Sequence, residues 1–270
     1  MKFLFGLLLV SYKEAIDKAE AIKLLKEVAS DSEISSTFYI LGLLYQQGDI
    51  VTRNLLLAFA YFNKASQNGH VRASYYLGCC YLYGQGVKKD VERALKLLYD
   101  AASKGDVFAQ NDLGTIYEQG RFVRQDFKKV IEYYQKAANQ GYGLSQFNLG
   151  VIFEYGRPGI EKNFEKAVQH YSLAAAQNFD RAQCNLARFY DEGLGGLIQD
   201  HQIVFTLVEK AANSGYPRAQ YNMGVLYENG IGTPKDIEKA KHYYTLAANS
   251  NQRISPQAKH KLEYLKVNNI

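Results

Sequence analysis

The chain has 270 residues, 47% hydrophobic and 22% charged, close to the roughly 45–50% and 25% of ordinary globular domains, which excludes a disordered or fibrous chain. Its 32 basic and 27 acidic side chains leave a net charge of +5. They are interspersed without a long single-sign run, so charge points to neither a nucleic-acid nor a membrane-surface partner. With 22 Tyr, 14 Phe, no Trp and only 4 Pro, the composition suits helices with apolar stripes and few obligatory breaks. The three cysteines, Cys79, Cys80 and Cys184, are an odd number. No disulfide framework is expected, and a reducing, cytoplasmic location is.

At the N-terminus, Met1-Lys2 and the apolar run Phe3–Val10 have the outline of a secretion signal. The apolar stretch is short, however, and no small-x-small cleavage site precedes Tyr12-Lys13-Glu14. No stretch approaches the roughly 20 apolar residues that cross a bilayer. Ala21–Ala29 aligns with the second helix of the repeat that follows, and Phe5-Gly6 sits near the place of its Leu-Gly pair. Residues 1–36 therefore read as a divergent N-terminal half-repeat.

From there one pattern recurs: Leu41-Gly42-x-x-Tyr45, Leu77-Gly78-x-x-Tyr81, Leu113-Gly114-x-x-Tyr117, Leu149-Gly150-x-x-Phe153, Leu186-Ala187-x-x-Tyr190 and Met223-Gly224-x-x-Tyr227. Successive copies lie 36, 36, 36, 37 and 37 residues apart, a period that marks stacked repeats. Each copy runs into a glycine-bearing turn that ends a first helix. Asn54, Asp90, Asp126, Asn163, Asp200 or Asp236 then caps a second helix. That helix carries an apolar pair before small residues, as in Tyr133-Tyr134 with Ala137-Ala138, or Leu97-Leu98 with Ala101-Ala102. Such spacing builds one stripe, with alanine where helices cross closely. Gly69, Gly105, Gly141 and Gly215, with Asn178 in the fourth copy, close the units. A mid-helix glycine costs roughly 1 kcal/mol against alanine, so the Leu-Gly pair implies close approach within each hairpin. At the C-terminus Ser255-Pro256-Gln257 opens a last, polar-backed helix over Ala258–Lys266, a cap for the stack.

The pattern Ala-x-x-x-Leu-Gly-x-x-Tyr-x-x-Gly-x-Gly, a capped second helix, then Tyr-Tyr-x-x-Ala-Ala-x-x-Gly, resembles the Sel-one-like repeat (SLR) family, relatives of tetratricopeptide repeats. The departures are conservative: Thr37 and Ser145 for the opening Ala, Ala187 for Gly, Phe153 for Tyr, and a first turn without its second glycine. The resemblance implies an all-α, right-handed α-α superhelix. The expected division is a half-repeat at 1–36, repeats at 37–72, 73–108, 109–144, 145–181, 182–218 and 219–254, and a capping helix at 255–270. It also implies a non-catalytic scaffold or adaptor that binds a protein or peptide on its concave face, with no cofactor and no small-molecule substrate.

By the same resemblance the first helices line the concave face, which exposes the residues just before each Leu-Gly pair. These are Tyr39-Ile40, Tyr75-Tyr76, Asn111-Asp112, Phe147-Asn148, Cys184-Asn185 and Tyr221-Asn222. Tyrosine offers contact area at low rotamer cost and asparagine both donates and accepts. The asparagines either meet a bound peptide backbone or bond the turn of the preceding repeat. A second row, Glu118, Glu154, Asp191 and Glu228, lies near first-helix C-termini, where an acidic group opposes the helix dipole. Either basic residues of the following turn, such as Arg124, Lys162 or Lys235, offset it, or the row favours a basic ligand. On the second reading, charge reversal at Glu154 and Glu228 weakens binding and leaves stability nearly unchanged.

Catalytic signatures are not evident. His70, His170, His201, His242 and His260 are scattered over different repeats with no His-Glu-x-x-His and no zinc-type cysteine spacing. Gly84-Gln85-Gly86 and Gly230-Ile231-Gly232 follow no strand and carry no Gly-Lys-Ser/Thr, so they read as hairpin turns. Cysteine-rich SLR proteins linked to β-lactam hydrolysis carry a regular cysteine pair in each repeat, which this chain lacks. An RNA-reading helical repeat requires a basic groove, whereas these rows are amide, aromatic and acidic.

Overall fold

The computed structural model describes residues 15–31, 34–250 and 252–268. Phe5-Gly6 and the apolar run Phe3–Val10 lie outside the described residues. Fourteen α-helices follow one another among the described residues, with no strand beyond an isolated Arg157–Ile160 bridge. They are α1 (Ala15–Asp31), α2 (Ser35–Gln47), α3 (Leu55–Gln67), α4 (Val71–Tyr83), α5 (Val91–Ser103), α6 (Val107–Gln119) and α7 (Phe127–Asn139). The rest are α8 (Gly143–Tyr155), α9 (Phe164–Ala176), α10 (Asp180–Glu192), α11 (His201–Asn213), α12 (Pro217–Asn229), α13 (Ile237–Ala248) and α14 (Ser255–Val267).

The helices divide into two compact units, residues 1–125 and 126–270. In the first unit each helix from α1 to α6 packs on the next, and in the second unit the same holds from α7 to α14. Within each unit a second helix thus touches the first helix that follows it and, where that lies in the same unit, its own first helix, which is how a stack of hairpins grows by nearest-neighbour contacts.

Local chemistry sets the boundaries. Asn54, Asp90, Asp126, Asn163, Asp200 and Asp236 all sit in extended backbone and accept from N–H groups of the first helical turn. Sequence reasoning did not anticipate two further caps, His70 and Asp106, which do the same for α4 and α6. A glutamine in the first turn of several first helices also has a task. Gln110, Gln146 and Gln183 donate to the carbonyls of Ala102, Ala138 and Ala175, at 3.1, 3.2 and 3.4 Å, near the end of the preceding second helix. Each adds a second bond to a carbonyl that already accepts from the backbone of Gly105, Gly141 or Asn178.

The core explains the Leu-Gly pair. Phe62, Leu98, Tyr171, Val208 and Tyr244 occupy one register, each eight positions after its N-cap, and each is buried. A Cβ on Gly150 would lie 2.6 Å from two ring carbons of Tyr171, and one on Gly224 would lie 2.6 Å from Tyr244. The glycine is the floor on which the ring lies. Where Ala187 replaces glycine, the facing residue is the smaller Val208, and both belong to one core cluster.

This packing separates two substitutions that look alike in sequence. Gly150→Ala gains about 1 kcal/mol of helix propensity but overpacks against a fully buried ring, at about 1–3 kcal/mol. A net loss of roughly 1 kcal/mol is expected. At Gly78 the added carbon would meet Leu98 side-chain carbons at 3.1 Å and the Ala94 carbonyl oxygen at 3.3 Å, a milder crowding that shifts of a few tenths of an ångström relieve. Gly78→Ala is expected to fall within about 0.5 kcal/mol of the parent. Urea titration of both variants checks the contrast.

Candidate functional site

The side chains singled out in sequence sit on the first helices, but much of that layer is occupied by contacts between neighbours. In the first unit, half-buried Tyr39 stacks on the His70 ring at 4.5 Å and meets Tyr76 at 5.7 Å. Tyr75 donates to Asp112 at 2.8 Å and Asn111 donates to the other Asp112 oxygen at 3.1 Å. Arg72 pairs with Asp106, and its guanidinium lies 4.0 Å from the centre of the Phe108 ring. These contacts tie α4 to α6.

In the second unit Phe147 packs on Tyr171 and on Phe179, at 5.8 and 5.2 Å between ring centres, with the Arg181 guanidinium 4.6 Å above it. Asn148, Asn185 and Asn222 are half-buried. Tyr221 leans on Tyr244 at 5.5 Å. The expected exposure fails for Asn111, Phe147 and Cys184, which are 5%, 4% and 5% exposed. In these three repeats the residue two before the leucine is covered, whereas Tyr39, Tyr75 and Tyr221 at the same position stay half-buried.

The acidic row is likewise committed within the chain. Glu154, 5% exposed, accepts from the Tyr171 hydroxyl at 2.5 Å and from Arg188 of α10 at 2.5 Å. The Asn185 side chain lies close enough to the same Tyr171 hydroxyl to influence its titration. Glu228 repeats the scheme with Tyr244 at 2.5 Å and Lys261 of α14 at 2.9 and 3.0 Å. Each charge is offset chiefly by the next first helix, not by a basic residue of its own turn. This corrects the sequence expectation: these carboxylates are hydrogen-bonded, partly desolvated clamps between repeats, and reversing them must cost stability. Asp191 differs, lying 3.4 Å from the exposed His201 ring. Glu118 has its backbone carbonyl bonded by Gln125 at 2.6 Å.

Titration follows from these surroundings. Burial opposes the Glu228 carboxylate, but hydrogen bonds from Tyr244 and Lys261, with the charges of Lys261 and Lys235, outweigh it and lower its pKa. Glu228 therefore stabilises the fold above the ordinary carboxylate range, a contribution lost as pH falls through its folded value. Asp112 shifts the other way. Burial, aided by Asp106, raises its pKa over the opposing bonds from Tyr75 and Asn111. Its ionised form is a penalty present above the folded pKa and relieved as pH falls. Asp112→Asn is expected to raise the urea midpoint at pH 7, with the gain shrinking as pH approaches 4. A gain independent of pH would contradict this.

Burial pushes the Cys79 and Cys184 thiols up to about 12 and Cys80 to about 11. Since the thiolate is the nucleophile, all three behave as small apolar side chains. The three cysteines are free. Among the described residues no group of three or more His, Cys, Asp or Glu can hold a metal ion, and no helix is long and apolar enough to cross a membrane.

Hairpins of 13-residue helices, a glycine floor under a ring and clamps between some neighbouring repeats define an all-α helical-repeat protein of the solenoid class. The Sel1 repeat matches at residues 39–70, 71–106, 107–142, 143–179, 180–216 and 217–252, and the chain belongs to that family. It is similar to c5321, a protective antigen present in uropathogenic Escherichia coli strains and displaying an SLR fold, with 29% identity and a TM-score of 0.79 over 90% of this chain and 51% of that one. The chain thus spans about half the length of that antigen. A Sel1 repeat protein from Oxalobacter formigenes is also 29% identical, with a TM-score of 0.73 over 80% of this chain and 87% of that one. No curated protein shows significant similarity to the chain. Sel1 repeat proteins are generally protein-interaction scaffolds.

Proposed function

We propose that this chain is a non-catalytic scaffold that holds a partner polypeptide on the face built from its first helices. The observation that carries the reading is a pocket of about 270 Å3 between α10 and α12, floored by Val204 and Val208 of α11 and rimmed by Arg218 and Asn222. It is an apolar hollow with a few polar groups on a rigid scaffold, the anatomy of a recognition site. The half-buried Tyr39, Tyr75 and Tyr76 of the first unit, and Tyr221 and Asn222 of the second, supply the aromatic and amide surface suited to a peptide. The high thiol pKa values argue against a cysteine-dependent hydrolase, and free thiols fit a reducing compartment such as the cytoplasm.

The test is affinity isolation after chemical cross-linking, comparing the parent with Tyr221→Ala/Asn222→Ala, each first shown by its melting curve to be folded. A protein retained by the parent and lost from the variant supports the reading. Equal retention by both, or salt-sensitive retention of single-stranded RNA in place of protein, overturns it.

A further inference from the structure

The pocket under α10 and α12 exists because one joint lacks the tyrosine that its neighbours possess. In repeat four, Tyr171 lies on Gly150 and donates its hydroxyl to Glu154, with the Asn185 side chain of the following first helix near that hydroxyl. In repeat six, Tyr244 lies on Gly224 and donates to Glu228. The corresponding residues of repeat five are Ala187 for the glycine, Asp191 for the glutamate and Val208 for the tyrosine, with Asn222 in the place of Asn185. All four line the pocket. The acceptor and the amide of the clamp are retained, and the phenol that joins them elsewhere is replaced by an isopropyl group.

We propose that this pocket binds a tyrosine side chain presented by the partner polypeptide, its hydroxyl donating to Asp191 and accepting from Asn222. The inference rests on the scaffold reading above and names the chemistry of one anchor in the guest. Three features favour a phenol. The chain itself uses a tyrosine against the same pair of groups one repeat earlier. An apolar cavity of roughly 150 Å3 suffices to bind a benzene ring, whereas sites for drug-sized ligands begin at roughly 300 Å3, so about 270 Å3 suits one aromatic side chain. Arg188 and Arg218 also line the pocket, which disfavours a lysine or arginine guest, while a guanidinium beside an aromatic ring is attractive.

The experiment needs no identified partner. N-acetyl-tyrosinamide and N-acetyl-phenylalaninamide are titrated into the full chain, and amide and methyl shifts of Val208, Val225 and Ile231 are followed by NMR. The tyrosine compound is expected to bind about fivefold more tightly, the worth of one net hydrogen bond of about 1 kcal/mol. Asp191→Asn should reduce that preference, and Ala187→Gly/Val208→Tyr, which restores the ring internally, should abolish binding and raise the melting temperature. Equal affinity for the two compounds, no binding of either, or binding that persists in the double variant overturns the proposal. None of those outcomes decides the scaffold reading, which stands or falls on retention of a whole partner.

Discussion

Gly232→Ala is expected to destabilise the protein by about 3 kcal/mol or more, and to do so through a contact between repeats. Gly232 has φ +65°, and a Cβ there would lie 2.1 Å from the carbonyl oxygen of His201, the first residue of α11. The left-handed conformation costs an alanine roughly 1–2 kcal/mol, and the clash is with backbone, which no rotamer relieves. Moving the turn away from α11 adds about 1–3 kcal/mol. Gly86, φ +71°, meets the Leu55 carbonyl at the start of α3 in the same way at 2.0 Å. Gly215 supplies the control. Its φ is +88° with nothing within 4 Å of the added carbon, so Gly215→Ala is expected to cost only the conformational term of about 1–2 kcal/mol. Urea titration distinguishes the two; equal losses would mean that the turn is not wedged against the preceding repeat.

The second large effect is expected at the Glu154 clamp. Arg188→Ala leaves a carboxylate that is 5% exposed with the Tyr171 hydroxyl and no adjoining guanidinium. Removing one partner of a buried pair costs about 3 kcal/mol or more. Glu154→Lys should cost at least as much, since it places a second cation beside Arg188. Replacing both partners, as in Glu154→Met/Arg188→Met, should recover most of the loss because neither charge is then stranded. Lys261→Ala should matter less, since the Glu228 side chain keeps 14% of its surface in water. Chemical denaturation of the single and double variants measures the coupling. A loss below about 0.5 kcal/mol for Arg188→Ala would show that the pair is an ornament of the surface.

What the sequence revealed is what is local. The caps at Asp90 and Asp236 and the closing Gly105 each act within a few residues, and the period of the Leu-Gly pairs made the hairpins and the family resemblance readable. The acidic row was visible too, but its meaning was not. Glu154 is explained by Tyr171, 17 residues on, and by Arg188, 34 residues on, and only the stack brings the three together. The burial of Asn111 and Phe147 also depends on neighbouring packing that helical periodicity leaves open. The pocket was hidden for the opposite reason. Ala187 looked like a conservative departure, and its link to Val208 appears once Gly150 is seen to be the floor for Tyr171. One signal was present in sequence: glycine and tyrosine occur together in repeats four and six, and repeat five lacks both.

The central claim is that the first-helix side of the hairpins, and not the second-helix side, grips a partner protein. Its most direct test is photo-cross-linking in cells that express the protein natively, with a photoreactive residue at Arg218 on α12 or at Glu165 on α9, both exposed. The account predicts a protein adduct of discrete mass from position 218 and none from position 165. An adduct from 165 alone, or equal labelling at both positions, would contradict it.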